Sequence, residues 1–184
     1  MAVEEPAYRV IESAGDFEVR DYPALVVAEV AVDGTQDSAT RAGFRLLAGY
    51  IFGKNGPGQH IAMTAPVIST PLADNSMAAM TVRSVGGKGN WSVRFIMPRG
   101  FTLQSLPTPS DPQVHLRTLP AAKVAVLRFS GLAYESDVLG KVRALAAAIT
   151  AHGLHAVGPV SLARYNPPWT PWFMRRNEVS VDVR

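Results

Sequence analysis

Apolar and polar residues follow two different periods along this chain, and the switches between them outline its elements. From Asp37 to Phe52 the residues Ala39, Gly43, Leu46, Leu47 and Tyr50 recur every three or four positions, the spacing of one helical face. Thr35 or Asp37 can cap the start of that helix and Gly53 can stop it. A second helix is predicted over Glu135–Ala151, with Val138, Val142, Leu145 and Ile149 on one face and Gly153 at its end. The other apolar runs are short, and many alternate with period two, as half-buried strands do. They predict strands at Tyr8–Glu12, Phe17–Tyr22, Leu25–Val32, Ile61–Thr70, Met77–Arg83, Trp91–Met97, Gln113–Leu119, Val124–Phe129, Val160–Tyr165 and Glu178–Val183. Ser13-Ala-Gly-Asp16, Gly86-Gly87 and Pro107-Thr-Pro109 mark turns between them.

The order of these elements repeats. Val26-Val-Ala-Glu-Val30 leads through Gly34 into the first helix, and Val124-Ala-Val-Leu-Arg128 leads through Gly131 into the second; strands follow each helix. Two strand–helix–strand–strand units make a duplicated α+β fold around one large antiparallel sheet. A length of 184 residues suits a single domain built from two such halves, roughly 8–100 and 110–184.

Composition narrows the chemistry. Cysteine is absent, which removes disulfide scaffolds, thiolate metal sites and cysteine nucleophiles. Charged residues are 18% of the chain, below the usual quarter or so, while hydrophobic residues are 47%, so the surface is expected to carry apolar ground. The net charge is +3, and the basic residues are scattered with no run longer than Arg175-Arg176, so nucleic acid is not an expected partner. No apolar stretch is long enough to span a membrane. The opening Met1-Ala-Val-Glu-Glu-Pro6 is acidic and has no signal-peptide pattern, which makes the cytoplasm the expected location.

Several segments stand out as candidates. The first helix is more apolar than one core stripe requires: Leu46, Tyr50, Gly43 and Leu47 fill one side, Ile51, Phe44 and Ala48 widen the arc, and Arg41 and Arg45 hold the rest. Either the whole arc faces the core, or one edge lines a groove for a flat apolar ligand whose carboxylates pair with Arg41 or Arg45. The Gly53–His60 loop lacks the Gly-Lys-[Ser/Thr] ending of a phosphate-binding loop and reads as a connection. Met63 reads as filler, and His60, His115, His152 and His155 have no diagnostic ligand spacing, so no metal site is expected. His152 and His155 bracket a helix end. Glu29 interrupts an apolar strand and is either paired with an arginine or a carboxylate of raised pKa in a pocket. The segment Tyr165-Asn-Pro-Pro-Trp-Thr-Pro-Trp-Phe-Met-Arg-Arg-Asn-Glu-Val179 is stiff and aromatic, because its prolines bar helix and central strand. It either packs across the domain, anchored by an Arg–Glu network, or clamps a planar ligand by stacking and cation–π contact.

Taken together, these pieces resemble the SOUL/haem-binding protein family. The matching segments are Phe17-Glu-Val-Arg-Asp-Tyr-Pro23, Val27-Ala-Glu29, Gly43-Phe-Arg-Leu-Leu-Ala-Gly-Tyr-Ile-Phe-Gly-Lys-Asn55, Ile61-Ala-Met-Thr-Ala-Pro-Val67, Val93-Arg-Phe-Ile-Met-Pro98, Leu106-Pro-Thr-Pro109, Arg128-Phe-Ser-Gly131, Tyr165-Asn-Pro-Pro-Trp169 and Arg175-Arg-Asn-Glu-Val179. They occur in family order from about residue 8 to the end. The resemblance implies a twisted, barrel-like antiparallel sheet with two flanking helices. It also implies haem or another tetrapyrrole bound in a shallow apolar groove between the first helix and the loop carrying Tyr165, Trp169 and Trp172. Phe44, Leu47, Ala48 and Ile51 would then be groove residues and Arg45 or Lys54 propionate partners. One branch of the family carries a proposed iron-ligating histidine in its Arg-x-Tyr segment, where this chain has Asp21. Haem would therefore bind without that axial ligand, and metal-free porphyrin about as well as haem.

The first expectation is thus a non-catalytic tetrapyrrole carrier or buffer. An alternative is a GyrI-like effector-binding or hydrolytic module, whose duplicated architecture is similar, with Glu29 as general base and Tyr50 beside it. A third is a partner-binding protein that uses the Pro/Trp loop as its surface.

Overall fold

A computed structural model describes residues 3–72 and 88–184; the strand expected at Met77–Arg83 and the turn at Gly86-Gly87 lie outside the described residues. The strands are β1 (Arg9–Ala14), β2 (Phe17–Tyr22), β3 (Leu25–Gly34), β4 (Val67–Pro71), β5 (Gly89–Ile96), β6 (His115–Leu119), β7 (Ala122–Ser130), β8 (Ala156–Arg164) and β9 (Arg176–Val183). The helices are α1 (Gln36–Ile51) and α2 (Glu135–Ala151). α2 and β2 match their expected spans. α1 is displaced by one residue, capped by the Thr35 side chain, which accepts from the Ser38 amide. Gly53 and Gly153 follow the two helices at positive φ, the conformation that ends a helix most cheaply in glycine.

The nine strands form one antiparallel sheet in the order β1-β2-β7-β9-β8-β4-β5-β3-β6. β3-α1-β4-β5 and β7-α2-β8-β9 are the two copies of the repeated unit, and their sheet orders mirror each other about the β4–β8 junction. There Val67 faces Arg164 and Ser69 faces Leu162, with the Thr70 and Ser161 hydroxyls 2.7 Å apart. The barrel stays open: β1 and β6 stand at opposite edges. The strand expected over Ile61–Thr70 begins only at Val67, because Pro66 has no N–H to extend the ladder.

Each helix supplies its own core. Val138, Val142, Leu145 and Ile149 of α2 pack on Phe17, Ala125, Leu162 and Val179. Leu47, Tyr50 and Ile51 of α1 pack on Ala28, Val30, Val93 and Phe95. Val67 packs against the α1 cluster and Leu162 belongs to the α2 cluster. Because Val67 and Ser69 point the same way and Ser69 pairs with Leu162, both helices lie on one face of the sheet. The other face carries the buried charges among the described residues, Arg20 and Glu178.

Candidate functional site

The helix-bearing face holds the groove residues expected on α1, and the structure divides them, while Tyr165 turns to the opposite face and donates to Glu178. Leu47 and Ile51 are buried at 0% and 1% exposure, so they build the core beneath α1 and present nothing to a ligand. Phe44 and Phe52 are exposed, Ala48 is half-buried between them, and the three follow at helical spacings of four along one outer edge. Phe44 rests edge-on against Phe95, with ring centroids 5.4 Å apart, and Phe52 lies 6.4 Å from the His60 ring. Arg45 and Lys54 are exposed alongside and make no ion pair with any described residue. This edge sets apolar side chains beside two cations.

The aromatic loop is elsewhere. Trp172 joins Phe129, Leu132, Tyr134, Gly140 and Ala144 around an open hollow of about 630 Å³ beside α2, the helix of the second half. Trp169 and Trp172 are 82% and 61% exposed, and Phe173 and Met174 continue the apolar surface. Arg175 pins the loop by donating to the carbonyls of Thr170 and Pro168. Its root touches the first half through Arg164, 2.5 Å from Asp37 at the start of α1. The expected clamp between α1 and Trp172 is therefore replaced by two separate apolar surfaces, one on each helix. Asp21 lies on neither; it pairs with Arg9 at the sheet edge, 2.6 Å away.

Glu29 and Tyr50 are on opposite faces of the sheet. Tyr50 is buried under α1 and donates to the Pro107 carbonyl at 2.8 Å, and burial pushes its phenol up to about 12. Glu29 faces away from the helices, 2.9 Å from Arg94 Nε and 2.6 Å from Arg117 Nε, with the Ser92 hydroxyl at 3.2 Å. Burial works against its charge, but the hydrogen bond and charge of Arg94, joined by Arg117, hold the carboxyl below its ordinary range. A carboxylate so paired is a poor general base.

The densest chemistry is a cluster that only long-range contacts create. Glu178 accepts two hydrogen bonds from Arg20, at 2.9 and 3.0 Å, one from the Tyr165 hydroxyl at 2.6 Å, and others from Arg176 at 2.9 and 3.1 Å. Arg20 is wholly buried and also donates to Glu18 at 2.7 Å and to the Tyr22 hydroxyl at 3.1 Å. Burial opposes the Glu178 charge, yet the bonds from Arg20 and Tyr165 keep its carboxyl below the ordinary range. Burial and the neighbouring Glu178 charge push the Tyr165 phenol far up, so it stays a donor. Motif segments near residues 20 and 178 thus meet, and the Arg–Glu network expected near the loop is real. Its partners on β2 had no signal in the sequence beyond Glu18 and Arg20 alternating with the apolar Phe17 and Val19. A similar silence covers Asn55, buried at 4%, whose side chain ties the Gly53–His60 loop to the Tyr50 and Gln59 carbonyls.

One cross-strand row links the two charged clusters. Glu29 faces Arg94, Arg94 faces Ile68, Ile68 faces Ala163, Ala163 faces Glu178, and Glu178 faces Arg128. The helix-free face therefore shows charge, an apolar gap at the junction of the halves, and charge again.

The model of the family described as "SOUL heme-binding protein" matches residues 3–182. Heme-binding protein 2 of Homo sapiens is 42% identical over 73 residues, which cover 37% of this chain and 36% of that protein. The C-terminal domain of EcmrR has a similar fold at a TM-score of 0.66 and 11% identity, over 96% of this chain and 98% of that one. A hydrolase encoded by lin2189 from Listeria innocua superposes at 0.63 with 13% identity, over 92% of each chain. At these identities the solved structures speak for the fold alone.

Proposed function

We propose that this chain, which belongs to the SOUL heme-binding protein family, binds haem or a related tetrapyrrole on the outer edge of α1 and serves as a carrier or buffer without catalysis. The observation that carries the reading is the surface stripe of Phe44, half-buried Ala48 and Phe52, flanked by the cations Arg45 and Lys54, which make no ion pair among the described residues. The apolar side chains cover the macrocycle and the cations meet the propionates. Asp21 stands where one branch of the family has its proposed histidine and is engaged by Arg9, so in this reading binding rests on the ring and its carboxylates. The hydrolytic reading through Glu29 and Tyr50 loses support because the two groups lie on opposite faces of the sheet.

An absorbance titration with haemin and metal-free protoporphyrin IX tests this. The wild-type protein is expected to bind both with similar affinity, and Ala48→Glu to weaken both at least tenfold, about 1.4 kcal/mol. Ala48 is half-buried at the surface, so this substitution leaves the core intact. Unchanged binding in Ala48→Glu overturns the placement on α1. A strong preference for haemin with an imidazole-ligated spectrum overturns the iron-independent mode and points to His60 beside Phe52.

A further inference from the structure

The helix-free face is covered at one place by the start of the chain. Glu4 bridges to Thr64 and its carbonyl accepts from the Ala65 amide at 2.9 Å, while its carboxylate takes the Arg99 amide at 2.7 Å. These contacts belong to the first half. From there the chain crosses to the second half, where the Glu5 carboxylate receives Arg176 at 2.9 and 3.3 Å. The Tyr8 ring then lies over the Arg20 guanidinium at 4.2 Å and against Tyr22 at 5.1 Å. Residues 5–8 belong to no strand or bridge, and Pro6 has no N–H to offer. The contacts that hold this stretch are a carboxylate on one arginine and an aromatic ring on another, which is how a small ligand would be held.

We infer that the Arg20–Arg176–Glu178 cluster is a binding site for a small aromatic carboxylate, which the chain's own Glu5 and Tyr8 occupy in this structure. Charge supports the assignment. With Glu5 present the cluster sets Arg20, Arg128 and Arg176 against Glu18, Glu178 and Glu5, three of each sign. Withdrawing the strap leaves one guanidinium in excess, on Arg176, whose side chain is 26% exposed. Arg176 Nη1, which donates to both Glu5 oxygens, then takes a carboxylate in their place, while its Nε and Nη2 stay on Glu178. Arg20 and Tyr22 take a ring in place of Tyr8. Three residues of extended chain span at most about 10 Å, so the ligand's ring and carboxylate are separated by a short linker. This site is on the sheet face opposite the helices and is independent of the tetrapyrrole reading. Because strap and ligand compete, apparent affinity in the intact chain is reduced by the fraction of time the strap is closed.

Calorimetric titration with 3-phenylpropionate tests the inference. The double variant Glu5→Gln/Tyr8→Ala is expected to bind it at least tenfold more tightly than the wild type. Adding Arg176→Gln is expected to remove the gain, and the uncharged 3-phenylpropionamide to show none. Equal affinity in the double variant and the wild type, with an unchanged circular dichroism spectrum, overturns the proposal. A double variant that fails to fold leaves the decision to the wild-type protein. There, saturating 3-phenylpropionate must displace the Tyr8 ring from Tyr22 and Arg20, read as a change in the Tyr8 ring proton resonances, and unchanged resonances overturn the site.

Discussion

The two halves of this molecule repeat one plan and differ in how tightly they close it. In each, a helix packs on one face of the sheet and a carboxylate is gripped by arginines on the other: Glu29 by Arg94 and Arg117, Glu178 by Arg20, Arg128 and Arg176. In the first half the grip is wet: Glu29 is 20% exposed and its partner Arg117 is 47% exposed. Around Glu178, which Arg20 reaches from β2, it is sealed: Arg20 and Glu178 are 0% and 3% exposed. The cause is position in the sheet. Arg117 sits on β6, an edge strand, whereas β2 lies between β1 and β7 and is overlaid by Tyr8. Pairing of a carboxylate with arginines is therefore a surface ornament at Glu29 and a structural necessity at Glu178, since a buried charge without its partner keeps its full desolvation cost.

That contrast sets the order of expected effects. Replacing Glu178 by alanine leaves buried Arg20 with Glu18 as its remaining carboxylate and Tyr165 without its acceptor, and is expected to cost about 3 kcal/mol in urea unfolding. Glu29→Ala leaves its arginines near water and is expected to cost about 1 kcal/mol. Equal losses would break the comparison.

Acid sharpens it. Both carboxyls lie below the ordinary glutamate value of 4.5 in the folded protein, so the unfolded chain binds protons more readily. Their stabilisation is complete above pH 4.5 and is lost as the pH falls below it, toward each folded value. Thermal melts between pH 6 and pH 3 should show a steeper loss in the wild type than in Glu178→Gln.

The helices test the comparison at smaller amplitude and with opposite signs. A Cβ on Gly43 of α1 would lie 2.6 Å from the Val93 Cβ, too close for any carbon. Gly43→Ala is therefore expected to destabilise by about 1–3 kcal/mol through overpacking. A Cβ on Gly140 of α2 meets nothing within 4 Å. Gly140→Ala is expected to stabilise by about 0.5–1 kcal/mol through helix propensity alone. Melting temperatures moving the same way would show that the halves pack their helices alike.

Much of the fold was legible in the chain because its signals are local. A 3.6-residue period needs only its own neighbours, which is why α2 and β2 fall on their expected residues and the duplication could be read from two strand–glycine–helix passages. The candidate site was legible in part. Phe44, Ala48, Arg45 and Lys54 do stand together at the surface, but Leu47 and Ile51 share their apolar character and turn inward. A wide apolar arc shows that a helix has two apolar neighbours without showing which edge meets the sheet.

What the sequence alone determined is the inventory: two amphipathic helices, many alternating strands, no cysteine, a stiff aromatic loop and the family that these motifs resemble. What the tertiary structure decided is adjacency. Trp172 meets α2 and not α1 because β7, which leads into α2, lies next to β9 in the sheet, and the loop enters β9. Arg20 meets Glu178 across most of the chain's length because β7 joins β2 to β9 on one face. Periodicity assigns a side chain to a face of its own element. Only the pairing of strands, set by global burial and hydrogen bonding, assigns that face a neighbour.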